Sequence, residues 1–502
     1  AMAASGSSYL PMPATAQDDL LDGEAPVIPV LSLSDCRSLG MENNIGLQRV
    51  RLGVESSILD RIRNEAAFDP GFALDLSTRQ SEAPSSDIGS STSSQIDFSA
   101  TYTRPTWTGS GWGFSIDQGR SHGSSGVGET SSSYTTFGSQ VGIAYRMPIL
   151  EGYGERVNRI GVERADIGIR RSEASVRDAE RNLRLTIIDG YILTVLAARR
   201  IEVAELSLAT AENLVEEVQA RIGVGQLAPY ELLAAQAGLA ERREALINAQ
   251  TGLETALDSL KELIGLPLTD EIMVDTSMLR PVFLEADSEE MYILAQDNRA
   301  DLLDLDLRLQ QAQLDLLLVD DRRQSSLSWN TTLGLSGQDE DYAGSVGDMN
   351  HFSWYTGLEY SMPLGGNRAA EVDYSSARLA IDQIDLERVD YLRGLQRDIR
   401  SAVEVFQNAL LRIDVTAQGL EVQEVKMESE RARLELGLIT SRDLLEFDVD
   451  LANARLAYDV AMADALNALA RLEYLIGQTL IEDVLVLSDV SGDSVEMGED
   501  GQ

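Results

Sequence analysis

The sequence predicts a mixed α and β membrane protein: barrel-type strands continued by long coiled-coil helical hairpins, built as two internal repeats. Three observations carry this. First, "YRMPILEGYGER" at 145–156 and "YSMPLGGNRAAE" at 360–371 each close an alternating, Ser-rich stretch and open a long charged stretch with helical spacing. Second, sustained heptads follow both. Third, no run of about 18 apolar residues occurs, so a chain that crosses a membrane must do so through β-strands.

The repeat runs beyond that pair. "RIGVGQLAPYELL" at 221–233 matches "RLELGLITSRDLL" at 433–445, and "ELIGLPL" at 262–268 matches "YLIGQTL" at 474–480. Upstream, "ENNIGL" at 42–47 resembles "QDNRADL" at 296–302. These matches divide the chain into an N-terminal extension (1–30), a first repeat (31–264), a linker (265–290), a second repeat (291–480) and an acidic tail (481–502). Each repeat reads helix, β segment, long helix, Gly turn, long helix, which implies pseudo-symmetric packing of two halves. The tail carries acids and no bases and is expected to be disordered.

In the first repeat the period changes to two within about 71–148. "FALDLSTRQ" (72–80), "QIDFSATYTRP" (95–105), "WGFSIDQG" (112–119) and "TFGSQVGIAYRMP" (136–148) alternate apolar with polar residues. "SEAPSSDIGSSTSS" and "RSHGSSGVGETSSS" read as long loops, and "TWTGSG" reads as a short turn. The second repeat, within about 326–363, has two such segments, 326–337 and 351–363, joined by the polar "QDEDYAGSVGDMN". Four strands plus two give six per chain; the alternative makes 81–134 a single outer loop. Tyr102, Trp107, Trp112, Tyr145, Trp329, Trp354, Tyr355 and Tyr360 cluster here, as an interfacial aromatic girdle or as core aromatics would. Soluble β-sandwich edges or a Ser-rich linker are the bland alternative.

The helical stretches are longer than a globular domain needs. From Glu155 to the turn near Gly225 is about 70 residues, or roughly 105 Å of helix at ~1.5 Å per residue. Leu444, Leu451, Tyr458, Ala465 and Leu472 repeat every seven residues, as do Leu232, Leu239, Leu246, Leu253 and Leu260. Large residues in one row with alanines beside them specify close packing, in coiled coils or in ordinary antiparallel hairpins.

Composition narrows the function. A net charge of −41, from 82 acids and 41 bases, argues against nucleic acid and anionic headgroups as partners. The single cysteine, Cys36, permits no internal disulfide and lies within the first helical pattern, so no lipid anchor is expected there. His122 and His351 lack metal-ligand spacing and no phosphate-cradling motif occurs, so neither enzyme activity, metal nor cofactor is expected. After Gly437 come Thr440, Asp443 and Glu446, and after Gly225 comes Glu231. Thr440-x-x-Asp443 is a capping box, and acids suit a first helical turn. Val224, Leu227, Leu436 and Leu438 are apolar at turns where no core is expected, and Gly225 and Gly437 permit the reversal.

Duplicated helix–strand–helix units, the "MP" strand exits, the "R-x3-G" tips and the "LIG" pieces resemble the TolC-type outer membrane factor family over about 31–480. The resemblance implies a homotrimer. Its barrel would sit among the lipids of a Gram-negative outer membrane, and its helices would form a periplasmic tunnel docked on an adaptor protein and an inner-membrane transporter. Its function would be passive export in an efflux or type I secretion system. The exits would be Pro148 with Gly152 and Pro363 with Gly365. The tips, Arg221, Val224, Gly225 and Leu227 with Arg433, Leu436, Gly437, Leu438 and Ile439, would touch the adaptor. Asp443, Glu446 and Glu231 would line the periplasmic constriction. Two departures stand out. The family pattern gives 12 strands per trimer where six per chain would give 18. The family's Arg and Tyr latch at the tip is replaced here by Ile439 and Leu434. A coiled-coil stalk or adhesin, and a stand-alone porin, are the rival functions.

Overall fold

The computed structural model describes residues 29–85, 89–127, 130–278, 286–364, 366–436 and 438–478. The N-terminal extension and the acidic tail therefore lie largely outside the described residues, as do Gly365 and Gly437. The first repeat runs β1 (Val30–Leu31), α1 (Leu33–Asn43), α2 (Ile45–Ala66), β2 (Gly71–Ser85), β3 (Gly89–Pro105), β4 (Gly111–Val127), β5 (Thr130–Pro148), α3 (Glu155–Asn158), α4 (Ile160–Gly223) and α5 (Tyr230–Ile264). The second runs β6 (Met273–Val274), α6 (Ser288–Asn298), α7 (Ala300–Arg322), β7 (Ser326–Asp339), α8 (Tyr342–Gly347), β8 (His351–Ser361), α9 (Arg368–Glu435) and α10 (Ser441–Ile476).

Two helices dominate. α4 has 64 residues and α9 has 68, roughly 95–100 Å each at ~1.5 Å per residue. Beside α4, α5 and α2 stack end to end, because Asn44 serves both. Its carboxamide oxygen accepts from Leu47 N at 3.0 Å, capping the start of α2. Its Nδ2 donates to Leu263 O at 2.9 Å, covering a carbonyl at the end of α5. The matching position in the second repeat is Arg299, which precedes α7. Its guanidinium donates to Tyr474 O at 3.1 Å near the end of α10, and to Tyr391 Oη at 3.0 Å. It also pairs with Asp301, which accepts from Tyr391 at 2.7 Å. The repeat is thus kept in geometry and changed in chemistry.

The main core lies where α4, α9 and α10 cross. Tyr191, Ile187, Phe406, Ile399, Leu466 and Leu469 are fully buried there, and Cys36 packs against them. The Tyr191 hydroxyl donates toward Leu31 O and Asp275 O, both at 3.1 Å, tying the parallel β1–β6 pair to α4. The α10 heptad row is buried at Leu444, Leu451, Ala465 and Leu472, as its spacing predicts.

The six long strands form one antiparallel sheet in the order β2-β3-β4-β5-β7-β8. The stretches read as long loops at 81–94 and 120–133 are instead largely strand. β2 and β3 stay paired to Ser85–Gly89, and β4 and β5 to Val127–Thr130. Serine and threonine tolerate extended backbone, and a ladder already in register can continue without any apolar gain; Ser81 and Ser93 even bond across it at 2.7 Å. The segment after β7 is likewise not all loop. It folds as α8, whose buried Ser345 bonds Ser139 of β5 at 2.8 Å.

Register assigns the two faces. Phe72, Tyr102, Phe114, Ile143, Leu333 and Trp354 form one lateral row, and Leu74, Ala100, Ile116, Val141, Leu335 and Phe352 the next. This face is apolar across all six strands and largely exposed. The opposite face carries Asp75, Ser99, Asp117, Gln140, Ser336 and His351 in one row. Trp112, Tyr145 and Trp329 form a chain of ring contacts, with centroids 4.5 and 5.8 Å apart, on the apolar face. Two of the expected girdle aromatics belong elsewhere. Tyr355 pairs with Thr332 and so lies on the polar face, and Trp107 sits in the β3–β4 turn. Among the described residues no helix is long and apolar enough to cross a membrane.

Asn44→Ala removes both bonds at the α2–α5 joint and should cost about 1–2 kcal/mol. The measurement is the thermal midpoint of helical circular dichroism, which should fall; an unchanged midpoint would show that packing alone holds the rods together.

Candidate functional site

The sheet meets the helices at a compact junction. Pro148 ends β5, and after it Gly152 adopts a positive φ of 78°. The Gly152 amide donates to the buried Asp321 of α7 at 2.8 Å, so the first exit is fastened to the second repeat. At the second exit, Pro363 accepts from Gly366 N at 3.3 Å. The "TWTGSG" turn packs into the same junction. Trp107 stacks on Phe68 with ring centroids 4.0 Å apart, and the Arg159 guanidinium lies over it at 5.3 Å. Gly154 N donates to Thr108 O at 3.1 Å. Gly109 has φ 84°, and a Cβ there would stand 2.3 Å from Gly152 O, so only glycine fits. The β3–β4 turn is therefore on the helical side of the sheet.

At the far end of the helices, Gly225 turns α4 into α5 with φ 77°. Arg221 donates to Leu434 O at 3.1 Å, joining the two tips, and Arg433 pairs with Glu430 at 2.8 Å. Val224, Leu436 and Leu438 are 71%, 75% and 64% exposed. Leu227 and Ile439 differ from them. Both are half-buried against a small cluster built on Leu214, Val218, Leu434, Leu444 and Leu445. Leu434 is itself a buried member of this apolar plug.

The three expected constriction acids have three different environments. Asp443 caps α10: its carboxylate accepts from Thr440 N at 2.9 Å and Thr440 Oγ1 at 2.8 Å. The backbone bond first, then the hydroxyl bond, holds its carboxyl below the ordinary range. Glu446 is exposed. Glu231 is only 7% exposed within the chain and accepts from the Tyr230 hydroxyl, which raises that phenol. Sequence reasoning missed a fourth acid, Asp448, which is buried beside Ser207 and Arg242. Its position four residues after Leu444 and three before Leu451 was the available signal. Among the described residues no cluster of three potential metal ligands occurs.

This layout, an apolar-faced sheet on a bundle of ~100 Å helices duplicated within one chain, has known counterparts. The family model described as outer membrane efflux protein matches residues 95–266 and 291–478. The chain belongs to the outer membrane efflux protein family. Its fold is similar to that of the CmeC outer membrane channel of Campylobacter jejuni, over 93% of this chain and 90% of that one, at 17% identity and a TM-score of 0.65. VceC of Vibrio cholerae covers 89% of this chain and 96% of its own at 15% identity and a TM-score of 0.66. The MtrE outer membrane channel of Neisseria gonorrhoeae covers 89% of each chain at 15% identity and a TM-score of 0.65. No curated protein matches the sequence. As a member of the efflux protein family, the chain is a Gram-negative outer-membrane protein whose helices extend into the periplasm.

The β3–β4 turn, being on the helical side, is then periplasmic. A cysteine at the exposed Thr108 should react with a membrane-impermeant maleimide only after the outer membrane is permeabilised. Reaction in intact cells would place this turn outside.

Proposed function

We propose that three copies of this chain close into an 18-stranded outer-membrane barrel over a periplasmic helical tunnel. It would act as the passive export duct of a tripartite efflux or type I secretion system. The observation that carries the reading is the pair of open edges. β2 and β8 each have one unpaired side within the chain. In hydrocarbon an unpaired ladder has no water to bond, so both edges need partners. Each edge strand adjoins a helix with exposed, heptad-spaced apolar residues: Ile45, Leu52 and Leu59 on α2, and Val372, Leu379 and Leu386 on α9. The two flanks differ from one another, which suits head-to-tail closure into a ring. The number three rests on the family likeness. A stalk would leave the six-stranded sheet without a purpose, and a simple porin would not need the long hairpins.

Energy would come from an inner-membrane transporter, reached through an adaptor that grips the tips at Val224, Leu436 and Leu438. Asp443 and Glu446, repeated by the ring, would favour cations at the periplasmic end. The purified protein should require detergent and sediment as a trimer; a soluble monomer without detergent would defeat the proposal. Val224→Asp with Leu436→Asp should abolish adaptor co-purification and export while leaving the trimer intact. In planar bilayers, Asp443→Asn with Glu446→Gln should reduce cation over anion preference and relieve block by multivalent cations. Unchanged selectivity would reduce both acids to helix-start residues. In the folded chain the Asp443 cap should hold above the ordinary carboxylate range and weaken as pH falls through its lowered value.

A further inference from the structure

β7 ends at Asp339, and the chain continues through Glu340 and Asp341 into the uncharged Tyr-Ala-Gly-Ser-Val-Gly of α8, followed by Asp348. A loop bathed only in water gains nothing from an apolar insert between acids. Nor does α8 project away from the sheet; it packs on β5 and β7.

Parity assigns the face. Gln118, Ser139 and Gly337 share one lateral row of β4, β5 and β7. They stand two residues beyond Ile116, Val141 and Leu335, so they belong to the apolar face. α8 covers this row. The fully buried Ser345 bonds Ser139 Oγ at 2.8 Å, and Ser139 donates to Gln118 Oε1 at 2.7 Å. Gly337 leaves the room, because a Cβ there would collide with Ser345 O and with the backbone at Asp348 and Met349. The apolar face continues past the covered row, with Phe137 on β5 and Ile96 on β3. Ser139 therefore stands between Val141 and Phe137, at a level where the wall is still apolar. Hydrocarbon would offer its hydroxyl no partner; Ser345 offers one, and α8 hides the row.

Tyr342 and Val346 are four residues apart, hence on one side of α8, and are 57% and 37% exposed. This end of the sheet is opposite the junction with the long helices, since β7 leaves α7 near Ser326 and reaches α8 after Asp339.

We propose that α8 lies on the outside of the barrel wall, in the plane of the membrane, and binds outer-leaflet lipid through Tyr342 and Val346. The tyrosine ring and the valine meet the upper acyl chains, while the acids at both ends of the helix stay in water. That combination holds α8 at the boundary and keeps it from sinking further. Lipid is the occupant because the surface of α8 is continuous with the apolar wall. Ring closure leaves it uncovered: closure uses β2 and β8, and α8 rests on β5 and β7. This placement rests on the barrel reading above, in which the apolar face meets lipid.

The test uses the full chain in phosphatidylcholine vesicles, with a nitroxide label on Val346→Cys, Ile143→Cys or Gln140→Cys, all exposed positions. Native Cys36 is fully buried and stays unlabelled. Relaxation by molecular oxygen, which concentrates in hydrocarbon, is compared with relaxation by a neutral nickel chelate, which stays in water. Ile143 on the apolar face should give a high oxygen-to-nickel ratio, and Gln140 on the polar face a low one. The ratio at Val346 should lie between them. Gly337→Val, which drives α8 off the wall, should lower the Val346 ratio to that of Gln140 and leave Ile143 unchanged. The milder Ser345→Ala should lower it part of the way. A Val346 ratio already equal to that of Gln140 without either change would overturn the lipid contact and leave the barrel standing. A label there that neither reagent reaches would mean that protein covers α8, and would overturn it equally. Equal ratios at Ile143 and Gln140 would instead overturn the barrel reading, and the placement of α8 with it.

Discussion

The long rods of this molecule depend on what happens to the carbonyls at the end of a helix. A helix terminus leaves four backbone oxygens without partners, and in a slender bundle there is little surrounding structure to cover them. Here two shorter helices meet end to end beside each long one, and a single side chain at each meeting point, Asn44 or Arg299, touches both of them. Without Asn44 and Arg299 the two end-to-end joints would lose their polar links and rest on packing alone. With them, the 35 residues of α5 and the 22 of α2 act as one support for α4.

The sheet obeys a different physics. Its apolar face has no core to cover it and its polar face carries Asp, Gln, Ser and Thr, which fits a wall between lipid and water and not a sandwich. What joins the sheet to the rods is a set of close backbone approaches around Gly109, Gly152 and Asp321. The two halves of the molecule can therefore be built to unrelated rules and still meet at one place.

Much of this was legible in the sequence because period and punctuation carry strong signals. The heptads of α5 and α10 fall on long helices, Pro148 ends β5, Pro363 lies just beyond β8, Gly225 lies between α4 and α5, and six strands emerged from period-two alternation. The Ser-rich stretches misled, since composition marks them as loops while the cost of extending a formed ladder is small. Trp107 and Tyr355 were assigned by residue type, and only register or a stacking partner could place them. Glu231 and Asp448 show the same limit. A carboxylate on a helix looks exposed until the neighbouring helix is known, and neighbours across 200 residues are not written locally.

The stacking of Trp107 on Phe68 has an evolutionary reading. The 38 residues 69–106 leave the end of α2 and come back to within one aromatic contact of it, having added β2 and β3 to the wall. Such a segment is a self-contained cassette. It can be gained or lost with its two ends already side by side, and neither the β5–β7 pairing nor the helix joints are disturbed. Without it the sheet would narrow from six strands to four while the long helices kept their length.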